Sequence, residues 1–583
     1  MNLLHDPWMP VRDAAGQRHW ITADQLSDPQ WLAFDADRPD FNGALAQFAI
    51  GLLQTTTPVG DSIGWRGLFN TPPTASLLRQ WFEPVAAAFE LDGDGPRFMQ
   101  DRYLKPTVGK QRDEDSGGFE SIQQLLIDCA GEGEKADNNT DLFIKRKNAG
   151  YGLCEGCCAI ALYTLQASAP GGGRGYLVSI RGNGPLTTLV RSAVERTLWH
   201  DLWLNVMDRA QFESRLGRPD ETDQRFTFPW LDRLLFLQPG GIATLQFEGP
   251  KGGPKPTEEE KPRLQPAQVT PSHVFWGMPR RVKLDFGQST PGNCCICGRV
   301  SARLTNRYLT KNYGLNYKGT WTHPLSPYYE MKGDWLPVHP QPDGVGYCHW
   351  LGWVLGTASK GAATKVAQVV DRALTLSHRQ TGGALRLWVF GYDMDNMKAR
   401  CWYDASLPLY GLADCQPEAR AAVQAEVGRW INAADLASDY LLESVRDAWF
   451  PDIPKKKAEI GKRLGHTKAA FWTTTEPPFY RHLQTLIEAA RSGAEHPALA
   501  VRQAWHAALV RTALRLFDQA FVGTGAIERQ NPRRTALAHK QLGRNLHGPK
   551  LRLALGLPTD DPGPKPARKS TKRATKPSAK ESA

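Results

Sequence analysis

No run of eighteen apolar residues occurs in the 583-residue chain, and its opening, MNLLHDPW, has no basic segment leading into an apolar one. The first absence excludes an ordinary membrane-spanning helix and the second a secretory leader, so a cytoplasmic protein is expected. Cysteine is scarce as well. Ten residues in so long a chain are too few for a disulfide scaffold. There is no Gly-x-x-x-x-Gly-Lys-[Ser/Thr] phosphate loop, and no His-x-Glu paired with Pro-Cys-x-x-Cys, which removes phosphate-loop nucleotidases and zinc deaminases. The glycine cluster Gly171, Gly172, Gly173 and Gly175 does not open a helix within a repeating βαβ pattern, so a dinucleotide site is not expected.

What is present is enough for several domains of ~150 residues each, with 41% hydrophobic residues to build their cores. A formal charge of +11 favours an anionic partner, although such an excess also occurs without one. From Asp561 onward seven basic residues face two acidic ones, which puts +5 on the tail and leaves about +6 on the body.

Six cysteines fall in two clusters, Cys154/Cys157/Cys158 and Cys294/Cys295/Cys297. Cys154-x-x-Cys157 with Cys294-x-x-Cys297 supplies four thiolates, the tetrahedral set of a structural zinc site with no position left for catalysis. Two unrelated reduced clusters remain the alternative. Cys158 and Cys295 are spare and could substitute if the pairing were shifted by one. The isolated Cys129, Cys348, Cys401 and Cys415 read as small buried apolar residues. Phe143, Lys145, Arg146 and Lys147 precede the first cluster, and the glycines follow it. The stretch therefore joins phosphate-seeking charge, a metal half-site and an open backbone.

Asn42 to Leu53 has helical periodicity, as do Glu120 to Cys129, Thr187 to Asp208 and Thr364 to His378. Tyr176 to Ile180 alternates as a strand does, and Pro250 to Pro262 reads as a surface insertion. Ser62 sits in Gly60-Asp61-Ser62-Ile63-Gly64, which matches the elbow of serine hydrolases. That elbow joins a strand to a helix, whereas Trp65 to Pro73 reads as a loop. Arg303, Arg307 and Lys311 alternate with Leu304, Tyr308 and Tyr313, which suits phosphate contact and base stacking, or equally an amphipathic strand. Leu385 to Phe390 leads into a hairpin whose tip carries Asn396, Met397 and Lys398. From Pro417 helices take over, at Glu418 to Ile431, Ala434 to Trp449, Pro478 to Ser492 and Pro497 to Ala520, with a basic helix at Arg533 to Leu546.

In combination and in order, NLLHDPWMPV, RFMQ, LCEGCCAIAL, APGGGRG, CCICG, GTWTHPLSP and GYDMDN resemble the CasA family, the large subunit of the type I-E CRISPR surveillance complex Cascade. The resemblance implies a mixed α/β domain over 1–408 with a structural zinc site, a four-helix bundle over 409–555 and a disordered basic tail over 556–583. It implies a non-catalytic protein that checks the protospacer-adjacent motif (PAM) in duplex DNA, helps open the helix and docks a helicase-nuclease. Its partners would be target DNA, the CRISPR RNA ribonucleoprotein with the other Cascade subunits, and that helicase-nuclease. By the same resemblance, Phe143 to Gly152 is the loop at the PAM region, and Gly171 to Gly175 the loop pressed into the minor groove. Lys311-Asn312 stands where a groove-reaching lysine is expected, and Asn396 where a polar wedge is expected, with Met397 and Lys398 beside it. Arg174 stands where a further glycine would be expected. A zinc-containing nucleic-acid enzyme, or a serine hydrolase using Ser62, are the competing classes.

Overall fold

The computed structural model describes residues 1–583 apart from 109–114, 130–150, 173–174, 193–196, 214–221, 233–262, 318–320, 343, 358–362, 377–383, 396–397, 411, 450–456, 494–497, 523–530 and 560–583. The chain divides into two compact units, Met1–Val427 with Phe479–His496, and Gly428–Pro478 with Pro497–Ala583. The surface insertion expected at Pro250 to Pro262 and nearly all of the basic tail lie outside the described residues.

The first unit is mixed α/β. It opens with β1 (Met9–Arg12), β2 (Arg18–Ile21) and β3 (Ala33–Phe34), an antiparallel sheet in the order β2-β1-β3. Helix α1 (Pro39–Thr56) follows, begun by Pro39, whose fixed φ suits a first helical position. Its apolar residues are buried on almost every side, which makes it the interior helix of the unit. Phe48 is the hub. Its ring meets Trp8 at 5.3 Å, Tyr163 at 5.7 Å, Phe89 and Phe98 at 5.8 Å and Trp276 at 5.9 Å, each edge to face, the geometry the aromatic quadrupole favours.

Next come α2 (Ser62–Asn70), β4 (Lys105–Pro106), β5 (Ser116–Ser121), α3 (Glu155–Ser168), β6 (Thr187–Ser192) and α4 (Leu198–Trp203). The strands then run β7 (Arg281–Leu284), β8 (Thr290–Asn293), β9 (Val300–Leu304), β10 (Arg307–Lys311), β11 (Tyr328–Met331), β12 (Asp334–Pro337), β13 (Thr364–Lys365), β14 (Leu385–Asp395) and β15 (Lys398–Pro408). They form sheets in the orders β4-β5-β10-β7, β12-β11-β13, β15-β14-β6 and β8-β9, with β4 and β5 parallel and the other pairs antiparallel.

Several local expectations are corrected. Glu120 to Cys129 is the end of β5 and one 3-10 turn at Ile122–Leu125, because Ser116–Ser121 pairs with β10. Thr187 to Asp208 begins as strand: Thr187 to Ser192 lies along β14, where β-branched Thr and Val fit the pleat, and helix starts only at Leu198. Thr364 and Lys365 pair with β11, so the helix there shrinks to Gln368–Ala373. Tyr176 to Ile180 forms no named strand, and Ser179 is bridged only to Gly182. Trp65 to Asn70 is helical, since Asp61 caps α2 by accepting from the amides of Ile63 and Gly64.

The later part of the chain is helical. Helix α5 (Pro417–Trp449) is unbroken where two helices were expected. Buried Val423, Val427, Trp430, Ala434, Ala437, Leu441, Val445 and Ala448 recur every three or four residues along it, and nothing at 432–433 interrupts the stripe. Helix α6 (Lys457–Ser492) is kinked at Leu464 (φ −120°, ψ 19°) and carries Pro477 and Pro478 within it, where each removes an amide donor. Helices α7 (Ala498–Arg515) and α8 (Pro532–His547) complete the series. Within the second unit, Trp505 Nε1 donates to the Trp430 carbonyl at 3.1 Å and Arg534 Nε to that of Ala448 at 3.0 Å, tying α7 and α8 to α5.

Candidate metal centre and converging loops

Cys154 caps α3 and Cys157 lies in its first turn, while Cys294 and Cys297 occupy the turn between β8 and β9. Gly298, at φ +69°, provides the left-handed residue that this turn needs. Backbone pairing holds the two halves together. Leu153 and Thr305 exchange hydrogen bonds at 3.0 Å, and the Cys295 amide donates to the Gly152 carbonyl at 3.0 Å. The Cys154 amide also donates to Cys294 Sγ at 3.4 Å.

The four sulfurs lie within 4.8 Å of one another, Cys154 and Cys297 at 3.7 Å. Thiolates ~2.3 Å from a tetrahedral zinc stand ~3.8 Å apart, so the donor set fits such an ion. Hydrogen bonds from Cys154, Cys157 and Cys297 hold the Cys294 thiol far below its usual range, and those from Cys154 and Cys157 bring Cys297 down to about 7. Cys157 is pushed up by its hydrogen bonds to Cys154, Cys294 and Cys297. Four sulfurs this close cannot all be ionised without a cation among them. Cys158 is buried away from the centre, its thiol directed at the Leu153 carbonyl, and Cys295 is exposed, so neither substitutes. Of the isolated cysteines only Cys415 is buried; Cys129 and Cys348 are half-buried and Cys401 is exposed, contrary to expectation.

Two segments leave this centre and meet again at a distance. Helix α3 has fourteen residues, about 21 Å at 1.5 Å per residue, and ends just before Pro170 and the glycines. From Cys297 the chain passes through β9 and β10 to Lys311, Asn312 and Tyr313. There the Tyr313 amide donates to the Gly175 carbonyl at 2.9 Å. Within the glycine loop, the Gly171 amide donates to Asn183 Oδ1 at 3.2 Å and the Gly172 amide to the Tyr176 carbonyl at 3.1 Å. These two amides are engaged inside the protein. Any reading of a groove by backbone donors therefore falls to other positions of the loop.

The β14-β15 hairpin reaches the same place. A Cβ on Gly184 (φ +63°) would stand 2.6 Å from Met394 Cγ and 2.9 Å from the Tyr392 carbonyl, so Asn183-Gly184 lies between the glycine loop and the hairpin. Asp393, 2% exposed, holds the hairpin neck through Arg400 Nη2 at 2.5 Å. Met394 is half-buried against this contact and Lys398 is exposed at the start of β15. Asn396 and Met397 lie outside the described residues, as do Phe143, Lys145, Arg146, Lys147, Gly173 and Arg174. Asn183, Tyr313 and Tyr176 escaped the sequence reading. An Asn-Gly turn signal was the one available hint.

Other candidates resolve differently. Arg303 pairs with Asp92 at 2.5 Å and Glu155 at 3.1 Å, and Arg307 with Asp285 at 2.7 Å, so both tie chain segments together instead of standing ready for phosphate. Ser62 is exposed at the start of α2, and what precedes it is α1 and a loop, not the strand a hydrolase elbow requires. His200 bonds Thr197 at 2.8 Å and Asp201 pairs with Arg191 at 2.8 Å, which gives this His-Asp pair a structural role. No helix among the described residues is long and apolar enough to cross a membrane.

Fold and site thus define a large mixed α/β protein in which a closed four-thiolate centre, able to hold a metal ion, anchors one end of a frame and three loops converge at the other. The chain belongs to the family described as CRISPR-associated protein Cse1, whose profile matches residues 2–516. It is similar to CasA from Thermus thermophilus (17% identity, TM-score 0.62, 94% of this chain and 99% of that one). It is also similar to Cse1 from Thermobifida fusca (15%, TM-score 0.64, 95% and 98%) and to a chain of a CRISPR RNA-guided surveillance complex (14%, TM-score 0.60, 94% and 99%).

Proposed function

We propose that the chain is the large, non-catalytic subunit of a type I-E CRISPR RNA-guided surveillance complex, Cascade, working in the cytoplasm. In this reading it recognises the PAM in double-stranded DNA, helps unwind the target for guide pairing and recruits the helicase-nuclease. Family membership supports the assembly. The observation that carries the DNA reading is the meeting of the glycine loop, the Lys311-Asn312 segment and the β14-β15 hairpin around Asn183-Gly184. Three elements distant in sequence form one surface, and each is of a kind that DNA-reading proteins use: open backbone, a cation, and a narrow projecting tip.

The four cysteines would hold zinc, which supplies structure here and no chemistry, because four thiolates close its coordination shell. Cys154 and Cys294 anchor the far ends of the two segments that meet at Gly175 and Tyr313. Phe143 to Lys147 would contact the PAM region and neighbouring subunits, Gly173 and Arg174 the minor groove, and Asn396, Met397 and Lys398 would part the first base step. The helices of 409–555 would form a four-helix bundle, and the tail from 556 would add sequence-independent attraction to DNA. A protein that samples many sites must bind each weakly through phosphate charge and let only the correct PAM license opening.

The test is a PAM-library binding assay with the reconstituted complex, comparing wild type, Arg174→Gly and a hairpin shortened at 396–397. Arg174→Gly is expected to change the order of preferred PAMs, and the shortened tip to bind DNA without opening it. Opening that persists unchanged in the shortened hairpin would refute the wedge.

A further inference from the structure

Behind the glycine loop, Pro170 to Gly172, α3 and strands β5, β7 and β10 surround a cavity of about 380 Å³. This is within the range of small-ligand pockets, ~300–1,000 Å³. Leu165 and Val282 make its wall apolar, the rings of Tyr176 and Tyr308 line it, and Glu120 adds an acceptor group. Arg280 lines it too. Its backbone is clasped by Gln166 of α3, whose Nε2 donates to the Arg280 carbonyl at 2.9 Å and whose Oε1 accepts from the Arg280 amide at 3.0 Å. Its Nη2 donates to the Pro170 carbonyl, and its plane lies 4.9 Å from the centre of the Tyr176 ring.

The residue is only 9% exposed, yet Nε and Nη1 have no hydrogen-bond partner among the described residues. The next residue shows the contrast. Arg281, 3% exposed, meets Asp101 at 2.6 Å and Asp115 at 3.2 Å. Burial lowers the Arg280 pKa to about 10, so the guanidinium keeps its charge at neutral pH. A buried, charged group with two unused donors is costly unless something meets it. The side chain is held by three independent contacts, so it cannot simply turn away to solvent.

We propose that this cavity binds one nucleotide, its phosphate oxygens accepting from Nε and Nη1 of Arg280 and its base lying against the rings of Tyr176 and Tyr308. Charge selects the anion, the aromatic rings select a planar body, and the volume admits a single unit. The site rests on the cavity alone and does not require PAM recognition. The nucleotide could come from a free nucleoside monophosphate or from an unpaired position of a DNA strand, and the two sources are separable.

The experiment is titration calorimetry on the full chain with thymidine monophosphate, thymidine, inorganic phosphate and a short 5′-phosphorylated single-stranded oligonucleotide. Thymidine monophosphate is expected to bind more tightly than thymidine or phosphate. Arg280→Gln should weaken it at least about tenfold, the scale of a hydrogen bond to a charged group. Tyr176→Ala removes a ring that is 43% exposed and should weaken it severalfold without disturbing the fold; it decides alone if Arg280→Gln does not fold. A tighter oligonucleotide that thymidine monophosphate displaces assigns the site to a DNA strand, and equal affinities assign it to the free nucleotide. Absence of binding at millimolar thymidine monophosphate, or binding untouched by both substitutions, overturns the proposal.

Discussion

The Tyr313 amide donates to the Gly175 carbonyl at 2.9 Å, and the Tyr313 ring fills the space that a side chain at 175 would occupy. Both residues have left-handed backbone, φ +84° at Gly175 and φ +69° at Tyr313. Two strained positions face each other, and only one of them carries a side chain.

Gly175→Ala should therefore be expensive for a one-carbon change. The new Cβ would stand 2.7 Å from the Tyr313 ring in a conformation that L-residues disfavour. A loss of about 2 kcal/mol is expected from the backbone conformation and the contact together. Urea unfolding measures it; an unchanged midpoint would mean that the loop does not hold this geometry in solution.

Replacing Cys294 by Ser should remove the bound metal and destabilise the frame by several kcal/mol, since structural zinc contributes on the order of 10 kcal/mol. Elemental analysis should find one metal per wild-type chain and much less in the variant. Cys295→Ser, one residue along and exposed, should leave both metal content and melting temperature alone. Equal behaviour of the two variants would remove the four-thiolate assignment.

Phe48→Ala should cost ~3–5 kcal/mol, the range for deleting a buried aromatic. Its ring touches five others from separated parts of the first unit, so little can collapse into the space. Denaturant unfolding should show the loss with the slope retained.

His273 introduces a pH dependence of defined sign. Its ring is fully buried, with Nε2 at 3.1 Å from the Tyr317 hydroxyl, and burial lowers its pKa to about 4 from 6.5. Between those values the unfolded chain binds a proton that the folded chain refuses. Stability is therefore full above the unfolded value and falls as pH drops from about 6.5 to about 4, by roughly 3 kcal/mol in all. The difference in unfolding free energy between pH 7 and pH 4.5 should shrink in His273→Gln. An identical difference would assign the acid loss to other groups.

Much of the architecture was legible because its signals are local. Leu45, Phe48, Ala49 and Leu52 recur at helical spacing and lie in α1, and Leu385 to Phe390 alternates and is strand. The errors share one cause. Glu120, Thr187 and Thr364 begin segments whose periodicity allowed helix, and each is taken into a sheet by a strand far away in sequence. Pairing across such distances leaves no trace in a short window. Arg303 and Arg307 were misjudged for the same reason, since their carboxylate partners come from other parts of the chain.

The pair of Cys-x-x-Cys motifs and the order of the family's segments were determined by the amino-acid sequence alone, because ligand chemistry depends on residue type and short spacing. Tertiary structure alone decided what those motifs do for one another. It separated the glycine cluster from the thiolates by the length of α3, brought Tyr313 back to close the frame, and left Arg280 buried with two donors unmet. Metal binding is a property of side chains, but the meeting of Gly175, Asn183 and Tyr313 is a property of how the backbone closes.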